Sequence, residues 1–258
     1  MPFPTQSLSA VLQSGCGDCA GGVAPPFPYE MAFQPIVDIR GKTIFAFEAL
    51  VRGPAGEGAA SVLSQVTADN LYAFDQSCRV KAIETAAQLG LAKTGAALSI
   101  NFIPGAVYRP ETCIRATLAA AGRVGFPRDQ LIFEVTEGEK VVDRAHLRGI
   151  LEEYRRHNFR SAIDDFGAGY AGLNLLAEFQ PDIIKIDLEL IRDIDTKPVG
   201  QKIVSAMVGL CRDLAIKIIA EGIETRAELE TLRAMGIDLF QGYLFARPGF
   251  KTLPMPQF

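Results

Sequence analysis

The feature that most constrains the fold is a regular alternation of short β-rich runs with longer amphipathic segments, which starts at Met31. Runs with apolar residues at alternate positions are typical of strands, and apolar residues three and four apart are typical of helices. The candidate strands are residues 32–39, 43–52, 96–102, 131–137, 161–167, 182–188, 217–223 and 238–245. The candidate helices between them are residues 72–89, 109–124, 143–157, 199–214 and 225–234. Strands that alternate with helices predict a parallel sheet and an α/β fold.

Eight such strands in a chain of this length favour a TIM-like (β/α)8 barrel with the first strand antiparallel. The antiparallel strand follows from the first connection, which contains little more than Arg40, Gly41 and Lys42. A parallel crossover needs about a dozen residues or more, so the first two strands must form a hairpin. A doubly wound open sheet is the alternative. It is less favoured because an open sheet gathers its polar residues at one switch point, whereas here they follow six of the eight strands.

Composition indicates a domain with a large core and limits the classes of partner. Of the 258 residues 48% are hydrophobic, mean hydropathy is +0.16, and the net charge is −4. The acidic balance argues against a nucleic-acid polymer as partner. No apolar run is long enough to span a membrane, and the N-terminal residues do not have the pattern of a signal peptide.

Residues 1–28 differ from the rest, because they are rich in Ser, Gly, Cys and Pro and lack a sustained period. We expect a flexible N-terminal tail or linker there, followed by a single domain over residues 29–258. Cys16 and Cys19 lie in this tail, and two cysteines do not make a zinc site without further ligands. The other three cysteines fall in helical segments, where buried reduced thiols are the plain interpretation. Reduced thiols favour a cytoplasmic location.

Polar residues stand at the ends of the apolar runs. They are Glu48, Asn101, Glu134, Asp164, Asp165, Lys185, Glu221 and Gln241. Much of this set recurs at about the length of one β/α unit, and barrel active sites lie at the C-terminal ends of the strands. Carboxylates beside buried strands lose solvation and repel one another, so a ring of them implies a cationic centre. A pair of divalent metal ions, which most often supports phosphoryl chemistry, is the economical interpretation.

An ordered series of motifs around these residues resembles the EAL family of cyclic di-GMP phosphodiesterases. The motifs are QPI (34–36), EALVRG (48–53), SINF (99–102), FEVTE (133–137), DDFGAGYAGL (164–173), PDIIKID (181–187), AEGIE (220–224) and QGYLFARP (241–248). The resemblance runs from Phe33 to about Pro248. It implies hydrolysis of cyclic di-GMP to linear pGpG, which lowers the level of a second messenger in bacterial signalling and biofilm control.

The resemblance also implies a pair of metal ions, Mg²⁺ or Mn²⁺, held by hard oxygen ligands. The implied ligands are Glu48, Asn101, Glu134, Asp164, Asp165 and Glu221. The first four would hold one ion, and the second would be held by Asp165, with Asp164 bridging and Glu221 nearby. Ca²⁺ is expected to support substrate binding but to inhibit turnover, because its loose geometry positions water badly.

Catalytic and substrate-binding roles come with the same resemblance. The implied catalytic residues are Lys185, Glu48, Glu221 and Gln241, and the implied substrate contacts are Gln34, Leu50 and Arg52. Lys185 would orient and help to deprotonate the attacking water, and Gln241 would hydrogen-bond around it. Arg52 would contact a substrate phosphate. The alternatives are a salt bridge at the barrel mouth for Lys185, which is compatible with the first role, a loop-anchoring amide for Gln241, and a surface ion pair for Arg52.

The glycine-rich segment after Asp165 departs from the commonest family pattern. Ala168, Ala171 and Gly172 stand where the family has Thr and two Ser. The resemblance makes this the loop that couples homodimer formation to metal binding, with Glu137 stabilising it. The lost hydroxyls could weaken hydrogen bonds in the loop, but the ligands are kept, so we expect activity. The variant is similar to EAL domains paired with flavin-dependent blue-light sensors, so a separate sensor or regulatory partner is expected.

Three functions compete on the sequence alone. The chain is a phosphodiesterase, a non-catalytic receptor that senses cyclic di-GMP, or a protein-interaction module that ignores the nucleotide. Receptors of this kind typically lose metal ligands or the lysine, and interaction modules would show a degraded EALVRG or DDFG segment. This chain keeps both segments and Lys185, so we favour the enzyme.

Overall fold

The computed structural model describes residues 24–136, 144–168 and 172–258. Four residues on which the sequence analysis made predictions, Cys16, Cys19, Glu137 and Ala171, lie outside the described residues, as does most of the predicted tail over residues 1–28. The strands in the described part are β1 (Glu30–Asp38), β2 (Thr43–Arg52), β3 (Ala97–Asn101), β4 (Leu131–Thr136), β5 (Arg160–Phe166), β6 (Ile183–Ile186), β7 (Lys217–Ala220), β8 (Leu239–Phe240) and β9 (Gly249–Phe250). The eight predicted strands correspond to β1 to β8, whereas the short β9 has no counterpart in the prediction.

The α-helices lie between the strands. In the described part they are α1 (Ala59–Leu63), α2 (Leu71–Gln88), α3 (Pro110–Val124), α4 (Arg144–Arg156), α5 (Gly172–Glu178), α6 (Leu188–Ile191), α7 (Pro198–Asp213) and α8 (Arg226–Ala234). The five predicted helices agree with α2, α3, α4, α7 and α8 to within one residue at each end. The other three have seven residues or fewer, which is too short for a periodic apolar pattern. None of the described helices combines the length and the hydropathy needed to cross a bilayer.

The sheet closes on itself. Strands β2 to β8 are parallel neighbours in chain order. Strand β1 lies between β8 and β2 and is antiparallel to both. The closure confirms the TIM-like (β/α)8 barrel with its first strand reversed, and it excludes the open sheet. Strand β9 adds to β1 at Ala32 and Phe33.

An apolar layer fills the barrel below its C-terminal mouth. Each of the eight barrel strands contributes one buried residue to it, and these residues are Ile36, Ala46, Ala97, Ile132, Ala162, Ile183, Ile219 and Leu239. Small and branched side chains alternate around part of the layer, which suits a closed interior that side chains must fill. The barrel therefore has a packed floor, and ligands can enter only from the mouth.

Helix α8 begins with a capping box. The Thr225 hydroxyl accepts a hydrogen bond from the backbone N–H of Glu228 at 3.2 Å, and the Glu228 carboxylate accepts one from the N–H of Thr225 at 3.0 Å. The same carboxylate also accepts from the N–H groups of Glu224 and Asp193. Burial alone would raise the pKa of Glu228, but these hydrogen bonds outweigh it and lower the pKa.

We predict that Thr225→Ala lowers the free energy of unfolding by about 1 kcal/mol, because an N–H in the first turn of α8 loses its acceptor. Denaturant unfolding measures this as a lower midpoint with an unchanged slope. Ser205→Ala is the matched control, since Ser205 is exposed in the middle of α7, where Ala is at least as favourable. Equal midpoints for Thr225→Ala and the parent would contradict the prediction.

Candidate active site

A polar layer lies directly above the apolar floor. Side chains alternate along a strand, so a residue two positions from a floor residue faces inward at the next level. On β2 to β8, or directly after them, these residues are Glu48, Ser99, Glu134, Asp164, Lys185, Glu221 and Gln241. On the reversed β1 the equivalent residue is Gln34, which precedes Ile36. All eight positions of this layer are polar, whereas all eight positions of the floor are apolar.

Lys185 is the centre of this layer. Its Nζ atom lies 2.7 Å from Glu221 Oε1, 2.8 Å from Glu134 Oε2, 3.2 Å from Asp164 Oδ1 and 3.5 Å from Glu48 Oε2. The side chain is 1% exposed. Burial alone would lower the pKa of Lys185, but the four carboxylates outweigh it and hold the pKa well above its ordinary value. Lys185 is therefore a cation that neutralises only part of the surrounding charge.

The negative charge that Lys185 does not neutralise raises the pKa values of the surrounding carboxyl groups. Burial, together with repulsion from Glu48 and Asp164, raises the pKa of Glu134 to about 8, although Lys185 acts in the opposite direction. Burial also raises the pKa of Glu221 well above its ordinary value. Such shifts mean that these carboxyl groups take up protons when no further cation is present.

A β-bulge explains how two consecutive residues reach the same site. Successive side chains on a regular strand face opposite sides, so Asp164 and Asp165 could not both point inward. The register between β5 and β6 shifts after Ile163, and Asp165 has a φ of 53°, in the left-handed region. The N–H of Asp165 donates to Asp164 Oδ1 at 3.0 Å. Burial, with repulsion from Asp164 and then Asp187, raises the pKa of Asp165 to about 6.

The acidic residues fall into two groups that could each hold a metal ion. One group is Glu48, Glu134 and Asp164, and the other is Asp164, Asp165 and Glu221. Within each group one oxygen from each residue lies within 4.8 Å of the others. A donor set of carboxylate oxygens suits Mg²⁺ or Mn²⁺, and the partly uncompensated charge around Lys185 favours added cations. The residues present therefore fit a pair of divalent ions that share Asp164.

Three amide side chains complete the wall of the layer. Asn101 lies one level above Ser99 on β3, is exposed, and donates from Nδ2 to Glu48 Oε1 at 3.0 Å. Gln241 Nε2 donates to Glu48 Oε2 at 2.7 Å and to Gln34 Oε1 at 3.3 Å. Gln241 Oε1 is buried and has no hydrogen-bond partner among the described residues. A buried acceptor without a partner next to carboxylates is suited to hold a water molecule.

Two of the three predicted substrate contacts lie farther toward the mouth than the polar layer, which contains the third, Gln34. Leu50 and Arg52 follow Glu48 at alternate positions of β2, so they face the same side at successive levels. Both are half-buried. Arg52 donates to the carbonyl oxygen of the adjacent Val51 at 2.8 Å. It forms no salt bridge with the described residues, so within that part of the chain its charge is available to a ligand.

Ser99 is a buried member of the layer that the sequence analysis did not single out. Its hydroxyl donates to Glu134 Oε1, which leaves Oε2 of the same carboxylate to Lys185. The signal was present, because Ser99 precedes Asn101 by two residues on a strand and so shares its face. A small hydroxyl among apolar strand residues carries less weight than a charged one, and this is why it was overlooked.

The fold and the site together define a TIM-like barrel with an acidic pocket, centred on a lysine, at its C-terminal mouth. Residues 29–248 match the family model described as EAL domain, and the chain belongs to this family.

Solved structures of similar proteins include complexes with cyclic di-GMP. A standalone versatile EAL protein from Vibrio cholerae O395, in its c-di-GMP-bound form, is 52% identical with a TM-score of 0.87, over 91% of this chain and 98% of that one. BlrP1 of Klebsiella pneumoniae, in a manganese and cyclic di-GMP complex, is 40% identical with a TM-score of 0.82, over 89% of this chain and 58% of that one. BlrP1 has also been solved with calcium and cyclic di-GMP.

The curated relatives are longer than this chain. The blue light- and temperature-regulated antirepressor BluF of Escherichia coli strain K12 is 32% identical over 232 residues, which make up 90% of this chain and 57% of BluF. Other relatives from the same strain are named cyclic di-GMP phosphodiesterases. Among these relatives the matched region spans from about a fifth to just over half of their length.

We predict that the metal-free protein loses stability as the pH rises from about 5 to about 8. Folding raises the pKa of Glu134 from 4.5 to about 8 and that of Asp165 from 3.8 to about 6. In this window the folded state keeps protons that the unfolded state has released, so deprotonation favours unfolding. Thermal unfolding in excess chelator, recorded across this window, measures the effect as a falling midpoint.

Two further measurements assign that slope to the site. Glu134→Gln should flatten it and raise the midpoint near pH 8, because the amide resembles the protonated carboxyl group. Added Mn²⁺ should raise the midpoint of the parent most at the upper end of the window, where the carboxylates are charged. A midpoint that rises with pH in chelator would show that the carboxyl groups do not titrate as described.

Proposed function

We propose that this chain is a phosphodiesterase that uses divalent metal ions to hydrolyse cyclic di-GMP to linear pGpG. The observation that carries the proposal is the complete polar layer, in which two groups of carboxylates share Asp164 around Lys185. The family match and the named phosphodiesterases among its relatives support the reaction and its substrate.

The metal-binding residues of the proposal are those that the resemblance implied. Glu48, Glu134 and Asp164, with Asn101 above them, would hold one ion, while Asp165 and Glu221 would hold the second together with Asp164. Two divalent ions in these positions would activate a water molecule and stabilise the attacking and leaving oxygens of a phosphodiester.

In this proposal Lys185 orients the attacking water and moves a proton. Its ammonium lies within 3.5 Å of four carboxylates, so a water that hydrogen-bonds to it is also next to the proposed ligands. Burial alone lowers the pKa of Lys185, and only the carboxylates raise it. Any cation that shares those carboxylates brings Lys185 nearer to proton transfer. Gln241, through its buried unpartnered Oε1, would accept a hydrogen bond from the same water.

Substrate contacts extend from the layer to the mouth. Gln34 is held by its bond to Gln241 and by donation from Nε2 to the carbonyl oxygen of Ala246 at 3.2 Å. Leu50 would pack against the nucleotide, and Arg52 would bind a phosphate. The stabilising role of Glu137 remains a prediction from the family resemblance.

A receptor that binds cyclic di-GMP without cutting it is the rival function. The relative BluF is named an antirepressor, which is a regulatory activity, and the loop after Asp165 differs from the commonest family pattern at three positions.

The test is incubation of the purified chain with cyclic di-GMP and Mg²⁺ or Mn²⁺, with the products separated by chromatography. Conversion to pGpG that chelator abolishes supports the enzyme, and binding without conversion supports the receptor. Ca²⁺ should permit binding with poor turnover.

We predict that Lys185→Ala and Glu48→Ala fail in different ways. Lys185→Ala should keep or raise metal affinity, because a positive charge leaves the layer, and should reduce single-turnover hydrolysis by about 10²- to 10⁴-fold. Glu48→Ala removes a charged ligand and should require more metal for any remaining activity. Calorimetric titration of metal and substrate, alongside single-turnover rates, separates the two.

Lys93→Ala is the control for this pair, because Lys93 is an exposed lysine outside the polar layer. It should behave as the parent in every assay. If Lys185→Ala cleaves at the parent rate, Lys185 does not act on the water.

The proposal includes a homodimer, and helix α7 offers an apolar face for it. Val199, Ile203, Leu210 and Leu214 are 71%, 47%, 38% and 38% exposed. Their spacing of four, seven and four residues places them on one side of the helix. A contiguous exposed apolar stripe of this kind is typical of an interface.

We predict that Ile203→Glu dissociates the dimer, because a charge would be buried in an apolar contact. Sedimentation at micromolar concentration should give about twice the 27.9 kDa monomer mass for the parent and the monomer mass for the variant. Ser205→Glu adds the same charge to an exposed position on the same helix and should leave the dimer intact. Identical sedimentation of parent and Ile203→Glu would remove α7 from the interface.

A cytoplasmic location and a separate sensor or regulatory partner also belong to the proposal. The cysteines in the described part, Cys78, Cys113 and Cys211, are free thiols, which fits a reducing compartment. Burial raises the pKa of Cys78 to about 12 and that of Cys211 to about 11, so both remain protonated and unreactive. The partner is inferred from the similarity to BluF, a light-regulated protein of which the chain covers 57%.

A further inference from the structure

A buried ion pair lies on helix α2. The side chains of Arg79 and Asp75 are 0% and 2% exposed, and they contact each other across one helical turn. Arg79 also donates to the hydroxyl of Tyr154 at 2.5 Å. The rings of Phe102, Phe133 and Tyr154 lie 5.4 to 5.8 Å from its guanidinium carbon. Its Nε has no hydrogen-bond partner in the part of the chain that the structure describes.

Such a pair is poorly explained by stability. Removing two charges from water costs more than their attraction usually returns, and apolar residues of similar volume often stabilise a core at least as well. The unpartnered Nε of Arg79 adds to this cost. Helix α2 buries the apolar Phe74, Ala82 and Ile83 around the pair, and it also buries Gln76, whose Nε2 donates to Asp75 Oδ2 at 3.4 Å. A role in fixing a particular geometry is therefore the better explanation.

The contacts of the pair lead to the C-terminal end of β3. Asp75 Oδ1 accepts a hydrogen bond at 2.9 Å from the backbone N–H of Ile103, two residues after Asn101. Asp75 Oδ2 is held by Arg79, so the carboxylate has one oxygen fixed and the other directed at the backbone. The N–H of Phe102, between Asn101 and Ile103, donates to the carbonyl oxygen of Glu134 at 3.0 Å.

The aromatic residues that Arg79 contacts lie next to proposed metal ligands at the C-terminal ends of β3 and β4. Phe102 directly follows Asn101, and Phe133 directly precedes Glu134 on β4. Because side chains alternate along a strand, Phe133 faces away from the barrel interior while Glu134 faces into it. Arg79 thus contacts, behind the barrel wall, the chain neighbours of two proposed ligands of one metal ion.

We propose that the Asp75–Arg79 pair is a positioning device that fixes Asn101 for metal binding by holding the backbone at Ile103. The inference rests on the proposed metal site and adds two residues to it from behind the barrel wall. The Asn101 side chain is exposed and makes one hydrogen bond among the described residues, to Glu48. Its orientation therefore depends on the backbone at the end of β3, and the carboxylate of Asp75 holds that backbone two residues farther along, at Ile103.

Two double variants separate the effect of the hydrogen bond from Ile103 to Asp75 from the effect of the charges of Asp75 and Arg79. Asp75→Asn/Arg79→Met removes both charges but keeps a side-chain oxygen that can accept from the N–H of Ile103. Asp75→Leu/Arg79→Met removes the charges and the acceptor together. Both replace the ion pair by a neutral pair of similar volume, so both are expected to fold.

The measurement is calorimetric titration of Mn²⁺ into the metal-free full chain, with thermal unfolding in chelator as the readout of stability. The variant without the acceptor should bind one of the two ions about 10- to 100-fold more weakly, as is usual for loss of a group that orients a ligand. The ion held by Asp164, Asp165 and Glu221 should bind normally. The variant that keeps the acceptor should bind both ions as the parent does.

Equal affinities in the two double variants, whether both normal or both reduced, would overturn the proposal. If either variant fails to fold, Asp75→Glu replaces the pair, since it keeps the ion pair but displaces the carboxylate from Ile103. It should weaken the same ion, and parent-like binding by it would count against the proposal. Failure of the proposed function is distinguishable, because the parent itself would then bind no pair of ions or leave cyclic di-GMP uncut.

Discussion

The interaction on which this site depends is the crowding of carboxylates around one buried ammonium group. Four acidic side chains lie within 3.5 Å of Lys185 Nζ, so a single positive charge is shared among four carboxyl groups and cannot neutralise them all. Water cannot screen the rest, because Glu134 and Lys185 are almost completely buried. The layer must take up protons or further cations, and the raised pKa values of Glu134 and Glu221 show the first response. In the proposed function a divalent ion is the second response, and it supplies what phosphodiester chemistry needs.

The barrel keeps this charge confined to one level. The floor below is entirely apolar, so no counter-charge can approach from that side, and the strands that carry the acids are fixed by their ladders. The bulge in β5 interrupts this regular pairing, and it brings Asp164 and Asp165 into the same site. The positive φ of Asp165 is unfavourable for a residue other than glycine. Such local strain persists where the surrounding structure holds it in place, and sites that bind ligands are where it is commonly found.

Much of the fold follows from the sequence, because apolar residues recur regularly, at alternate positions in the strands and three or four positions apart in the helices. The alternating pattern predicted β1 to β8, and the short connection at Gly41 required the first strand to be reversed. Helices of seven residues or fewer were missed, since they contain too few turns to show a period. The site acids were found by charge and spacing, whereas Ser99 was overlooked because a hydroxyl is unremarkable in a strand. Asp75 and Arg79 could not be recognised, because a helix that carries charges normally turns them to solvent, and only packing shows that these two face inward.

The reversed first strand determines which end of the barrel the neighbouring chain meets. In β1 Glu30 pairs with Arg52, at the mouth end of β2, and the chain then runs downward to the hairpin at the opposite face. The last strand, β9, also joins the upper part of β1, at Ala32 and Phe33. Both flanks of the domain therefore meet the barrel on the side where the nucleotide would enter. A module fused ahead of Glu30 would lie at the rim of the site. A small change in the orientation of that module would narrow or widen the mouth of the barrel without deforming the barrel itself.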